Sequence, residues 1–139
     1  MGYQKGLTAL ELLVVVAIIA MLAAVAVPRF SVLDREAREQ AVISLADGVR
    51  SAAEVTHRVW AAAGRPETLT FHGEELRFVH GYPAEQAIAR AVIGPGGFHH
   101  GNGMWVHEDA RSALDCGVVY LPPTAEGVPA TVNAYTDGC

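Results

Sequence analysis

The side chains able to do chemistry are an isolated acid, a handful of histidines and two cysteines. The acid stands apart. Residues 7–27 read LTALELLVVVAIIAMLAAVAV, apolar except for Thr8 and Glu11. A carboxylate inside a hydrocarbon-buried helix costs a few kcal/mol, less near an interface. Glu11 either reaches the headgroup region from near the helix start or meets a positive partner. We read it the second way. The best partner is a free α-amino group, made by cutting the chain just upstream. In an apolar setting such a pair would fix the register of one helix against its neighbour.

The other reactive side chains form no comparable arrangement. His57, His72, His80, His99, His100 and His107 raise the question of a metal site. His99 and His100 could join His107, but they stand in a Gly-rich stretch, and no HExxH or Cys/His spacing is present. No metal or other cofactor is expected. Ser31, Ser44, Ser51 and Ser112 lie in no nucleophile elbow, and nothing places two carboxylates in a cleft, so no enzymatic activity is expected. Phe30 and Trp60 are too sparse along the helix to conduct electrons. The formal net charge of −5 argues against a nucleic-acid partner, which requires a basic footprint.

The elements that position Glu11 follow from hydropathy. At 1.5 Å per residue, residues 7–27 span about 31 Å as a helix, close to the ~30 Å bilayer core. The run is too long for a signal-peptide core and lacks a small-x-small cleavage pattern. Lys5 ahead of it is compatible with a cytoplasmic N-terminus. Pro28 is expected to bend or locally melt the helix. Beyond it, Leu33, Ala37, Ala41, Leu45, Gly48, Ala52, Val55 and Val59 recur as one apolar stripe. This half should run to about residue 63 and stop at Gly64-Arg65-Pro66, with Trp60 as a core contact.

Short strands follow. Thr68-Leu69-Thr70-Phe71-His72 and Glu75-Leu76-Arg77-Phe78-Val79 read as a hairpin turning at Gly73-Glu74. His80-Gly81-Tyr82-Pro83 breaks the pattern, and residues 84–93 read as a short helix. Gly94-Pro95-Gly96-Gly97 and Gly101-Asn102-Gly103 read as loops. Strands are expected at Met104-Trp105-Val106-His107 and Cys116-Gly117-Val118-Val119-Tyr120-Leu121. Residues 128–135 should return antiparallel to the latter and bring Cys139 back to Cys116. In a domain outside the cytoplasm these two cysteines read as one disulfide. It would close a loop worth roughly 3 kcal/mol by chain entropy.

Lys5-Gly6 followed by Leu7-Thr8-Ala9-Leu10-Glu11-Leu12 resembles the prepilin leader and mature start of type IV pilins and pseudopilins. Leu7 stands where Phe is usual, and Ala9-Leu10 where Leu-Ile is usual. The resemblance implies a leader over residues 1–6 and cleavage between Gly6 and Leu7 by a prepilin peptidase. It further implies N-methylation of Leu7, assembly roles for Thr8 and Glu11, and a helix kink at Pro28. The mature side-chain charge would be −6, because Lys5 leaves with the leader. The implied fold is α+β. A helical spine comprises a membrane and fibre-core half (7–27) and an amphipathic half (28–63). A head (64–139) carries a small antiparallel sheet and a disulfide loop, 116–139. Implied partners are further copies of the chain in a helical homopolymer, the inner-membrane assembly machinery, and membrane lipid before assembly. The implied location is the bacterial inner membrane as a single-pass protein, then an extracellular pilus.

A narrower resemblance is carried by Val27-Pro28-Arg29-Phe30, Leu33-Asp34-Arg35-Glu36-Ala37-Arg38, Gly81-Tyr82-Pro83, Asp115-Cys116 and Gly138-Cys139. These look like the mannose-sensitive haemagglutinin (MSHA) branch of type IV pilins and imply surface attachment, with motility as a further output. The alternative is a pseudopilin of a type II secretion system. The cysteine pair, and the lack of an evident calcium-binding C-terminal loop, favour the pilin.

Overall fold

The computed structural model describes the backbone of residues 8–139 and the side chains of residues 8–24 and 34–139. The chain divides into two compact units, the first ending at Glu36 and the second spanning Ala37–Cys139. Helix α1, Ala9–Ala62, is assigned through Pro28. The Pro28 side chain lies outside the described residues, as do Gly6 and Leu7.

In the second unit, α1 buries Val42, Leu45, Ala46, Val49, Ala53 and Thr56. Their spacing of three or four residues puts them on one face. That face is rotated from the expected stripe. Leu45 belongs to both, but Val55 and Val59 are exposed and Gly48 and Ala52 only half-buried. The reason lies in composition. Small and apolar residues occupy two adjacent faces of this helix, and Thr56 belongs to the buried one despite its polarity. Its hydroxyl is shared between the carbonyls of Ala52 (2.7 Å) and Ala53 (3.0 Å), which makes burial tolerable.

After α1 come strands β1 (Thr68–Phe71), β2 (Glu74–Val79) and β3 (Tyr82–Pro83), then helix α2 (Glu85–Ala91). Strands β4 (Phe98–Gly101), β5 (Met104–His107), β6 (Gly117–Leu121) and β7 (Thr131–Tyr135) complete the unit. The strands form two antiparallel sheets rather than one: β1-β2-β3 and β4-β5-β6-β7. The expected β6–β7 return is present, pairing Gly117 with Tyr135 and Leu121 with Thr131.

Three hairpins share one device. His72-Gly73, His80-Gly81 and Asn102-Gly103 each form a two-residue connection. In each, both residues have positive φ, the signature of a type I′ turn. The first hairpin therefore turns at His72-Gly73, not at Gly73-Glu74. The expected loop around Asn102 is a hairpin, with β4 as its first strand. Helix α2 is shorter than the expected 84–93.

Two apolar clusters hold the unit together. In the larger, the buried α1 face meets Tyr82, Ile88, Trp105, Cys116, Val118 and Tyr120. In the smaller, Leu76, Phe78, Ala84 and Ala87 pack with half-buried Trp60. The expected core role of Trp60 is thus met, and its indole N–H donates to the Pro66 carbonyl at 2.8 Å.

Candidate assembly site

Within the first unit, Thr8 precedes the helix and Glu11 is its third residue. The Thr8 backbone N–H donates to Glu11 Oε2 at 3.0 Å, and the Thr8 hydroxyl donates to the same oxygen at 3.1 Å. The Glu11 backbone N–H donates back to Thr8 Oγ1 at 3.3 Å. The Leu12 N–H to Thr8 carbonyl bond (3.1 Å) opens the helical ladder. This is a complete capping box. Each of two otherwise orphaned donors at the helix start finds a side-chain acceptor. The T-x-x-E spacing ahead of an apolar run was the available signal. Thr8 and Glu11 were each expected to act in assembly, but their mutual bonding was not read from it.

Behind the box, the side chains of residues 9–24 are all exposed. Among the large ones, fractional exposure runs from 48% at Val15 to 73% at Leu10. Consecutive positions such as Leu12, Leu13, Val14, Val15 and Val16 point in every direction around a helix, so no face is polar. A helix apolar all round requires lipid or other helices around it. Among the described residues, no helix is long and apolar enough to cross a membrane. The described apolar part of the helix, residues 9–24, supplies about 24 Å. The expected span also needed Leu7 and the side chains of Val25, Ala26 and Val27, which lie outside the described residues.

The expected cysteine pair is joined. Cys116 and Cys139 form a disulfide with Cα atoms 4.8 Å apart. Cys116 is buried in the larger cluster. The closing segment is held further by Gly138 N–H to the Asp115 carbonyl (2.8 Å). Arg38 Nε on α1 donates to the Cys139 carbonyl at 2.8 Å. Sequence reasoning missed Arg38, since nothing local distinguishes it from other arginines of α1.

The histidines do other work. His72 and His80 form hairpin turns. His57 Nδ1 lies 2.7 Å from the Gly81 carbonyl, and its ring stacks on Tyr82 at 4.3 Å. His107 Nδ1 accepts the Asp109 N–H at 3.2 Å. Among the described residues, no group of three or more His, Cys, Asp or Glu is placed to hold a metal ion.

The long N-terminal helix, small antiparallel sheets and C-terminal disulfide make an α+β fold consistent with that of type IV pilins. Two curated relatives are named as type IV major pilins. Over 83 residues the chain is 40% identical to the type IV major pilin protein PilE of Neisseria gonorrhoeae, covering 55% of this chain and 50% of that protein. Over 60 residues it is 40% identical to the type IV major pilin protein PilE1 of the same organism, covering 41% of this chain and 28% of that protein. The chain thus spans about half the length of one relative and less of the other. No protein-family model and no solved structure matches it. The likeness to these relatives supports a type IV pilin.

Proposed function

We propose that this chain is the structural subunit of a type IV pilus, built to be held in a membrane and then packed into a fibre through its N-terminal helix. The observation that carries this reading is the exposed apolar helix behind Glu11, on a chain similar to major pilins. Cleavage between Gly6 and Leu7, with N-methylation of Leu7, frees an α-amino group one residue from the capping box. Residues 7–27 then serve first as a single-pass inner-membrane anchor and afterwards as fibre core. Helix packing in that setting depends on close approach, which Ala17, Ala20, Ala23 and Ala24 favour. Glu11 pairs with the α-amino group of an adjacent copy, and Pro28 lets the helix bend. The peptidase and the inner-membrane assembly machinery are the partners this sequence of events requires.

Surface attachment, with motility as a further output, and placement in the haemagglutinin branch belong to the same proposal. They rest on the short motifs around Pro28, Gly81 and Cys116. The relatives are named as major pilins, which favours a fibre subunit over a secretion pseudopilin. The test is Glu11→Ala. The variant chain should be made, inserted and cut normally, yet yield few fibres. Normal fibre numbers would refute the pairing.

A further inference from the structure

We propose that Thr8 competes with neighbouring copies for Glu11, so that the capping box stores the carboxylate in the membrane-held chain and assembly must loosen it. This rests on the fibre reading above. The three bonds of the box use only atoms of residues 8 and 11. A cut between Gly6 and Leu7 therefore leaves the box intact, with the Thr8 nitrogen still a peptide N–H. From residue 9 to residue 24 every side chain except Glu11 is hydrocarbon or thioether. Among the described residues, Thr8 is the one side chain that donates to this carboxylate.

The two carboxylate oxygens are not equivalent. Oε2 takes both Thr8 donors, at 3.0 and 3.1 Å, whereas Oε1 carries no hydrogen bond among the described residues. In lipid, where no water substitutes, the box lowers the cost of carrying a charge. It also spreads that charge into Thr8, leaving less attraction for the ammonium of another copy. An incoming α-amino group meets Oε1 first, and gains full contact as the Thr8 hydroxyl lets go. Thr8 is thus a positioning residue. It sets how firmly the stored chain keeps its carboxylate, and hence the threshold for association.

The experiment uses the processed full chain, residues 7–139, in phosphatidylcholine vesicles, with self-association followed by energy transfer between labelled copies. Thr8→Val removes the hydroxyl at nearly constant shape and should tighten association about tenfold, the scale of one hydrogen bond to a charged group. Thr8→Ser should match the natural chain. In a Glu11→Ala background, Thr8→Val should change nothing. Association equal to or weaker than the natural chain's on Thr8→Val, or tightening that survives Glu11→Ala, would overturn the proposal. Membrane insertion is read separately by flotation with the vesicles, so a failure of the anchor reading shows itself there. Amide exchange in micelles then decides the box directly. Thr8 N–H protection lost on Glu11→Ala supports it, and equal exchange in both chains overturns it.

Discussion

Tyr120 lies in the larger core, 1% exposed, with its hydroxyl donating to the Pro83 carbonyl at 2.7 Å. That bond ties β6 to β3, joining the two sheets. Burial, reinforced by Tyr82 and Glu85, pushes the phenol well above its ordinary value. The neutral form is therefore favoured by folding. Its stabilisation is complete below about pH 10, the unfolded value, and is lost as pH rises towards the folded one. Tyr120→Phe should cost about 1 kcal/mol at pH 7, because the Pro83 carbonyl loses its donor. It should also flatten the fall in stability above pH 10, as read by urea unfolding across pH. Gly81 shows a steric constraint instead. Its φ is +89°, and a Cβ there would meet the Trp60 ring at 2.7 Å. Gly81→Ala should destabilise the protein by about 1–3 kcal/mol and perturb Trp60 fluorescence, measured in the same titration.

At the scale of elements, α1 offers a controlled comparison. Val49 is 0% exposed and Val55 46% exposed, six residues apart on one helix. Val49→Ala should cost about 2 kcal/mol through lost burial and the cavity left behind. Val55→Ala should change stability by less than about 0.5 kcal/mol in the same thermal or urea unfolding assay. A larger cost at Val55 than at Val49 would place the buried face where the sequence pattern alone put it. That pattern failed because alanine and glycine carry little facing information. Gly48 and Ala52 fit either side, and buried Thr56 was invisible to an apolar count. Elsewhere the sequence was more informative. Alternation in β1 and β2 and the apolar run of β6 showed where strands lie. Strand β4, Phe-His-His-Gly, has neither alternation nor a β-branched residue. Its real signal was the Asn102-Gly103 turn, which demands a strand on each side. Tyr82 and Pro83 form a strand too short for any periodicity to reveal.

At the scale of the molecule, the disulfide and the exposed helix have opposite consequences. The disulfide closes a segment of 23 residues in sequence separation. Replacing both Cys116 and Cys139 by Ser should lower stability by about 3 kcal/mol, seen as a lower urea midpoint. The large apolar side chains of residues 10–22 are exposed. Such a helix makes sense only with lipid or further copies around it. The motif Gly6, Leu7, Thr8, Glu11 is what suggests the proposed use in lipid and fibre from the sequence alone. The capping box was not read from the same residues, because it is a bond between two side chains and not a property of either.

The central claim is that this helix is cut free of its leader and becomes the core of a fibre. Electron microscopy of surface fibres, with mass spectrometry of their subunit, tests it most directly. The account predicts fibres whose subunit begins at N-methylated Leu7 and retains the Cys116–Cys139 disulfide. Fibres lacking this chain, or a cell-associated chain still carrying residues 1–6 and never found in fibres, would contradict it.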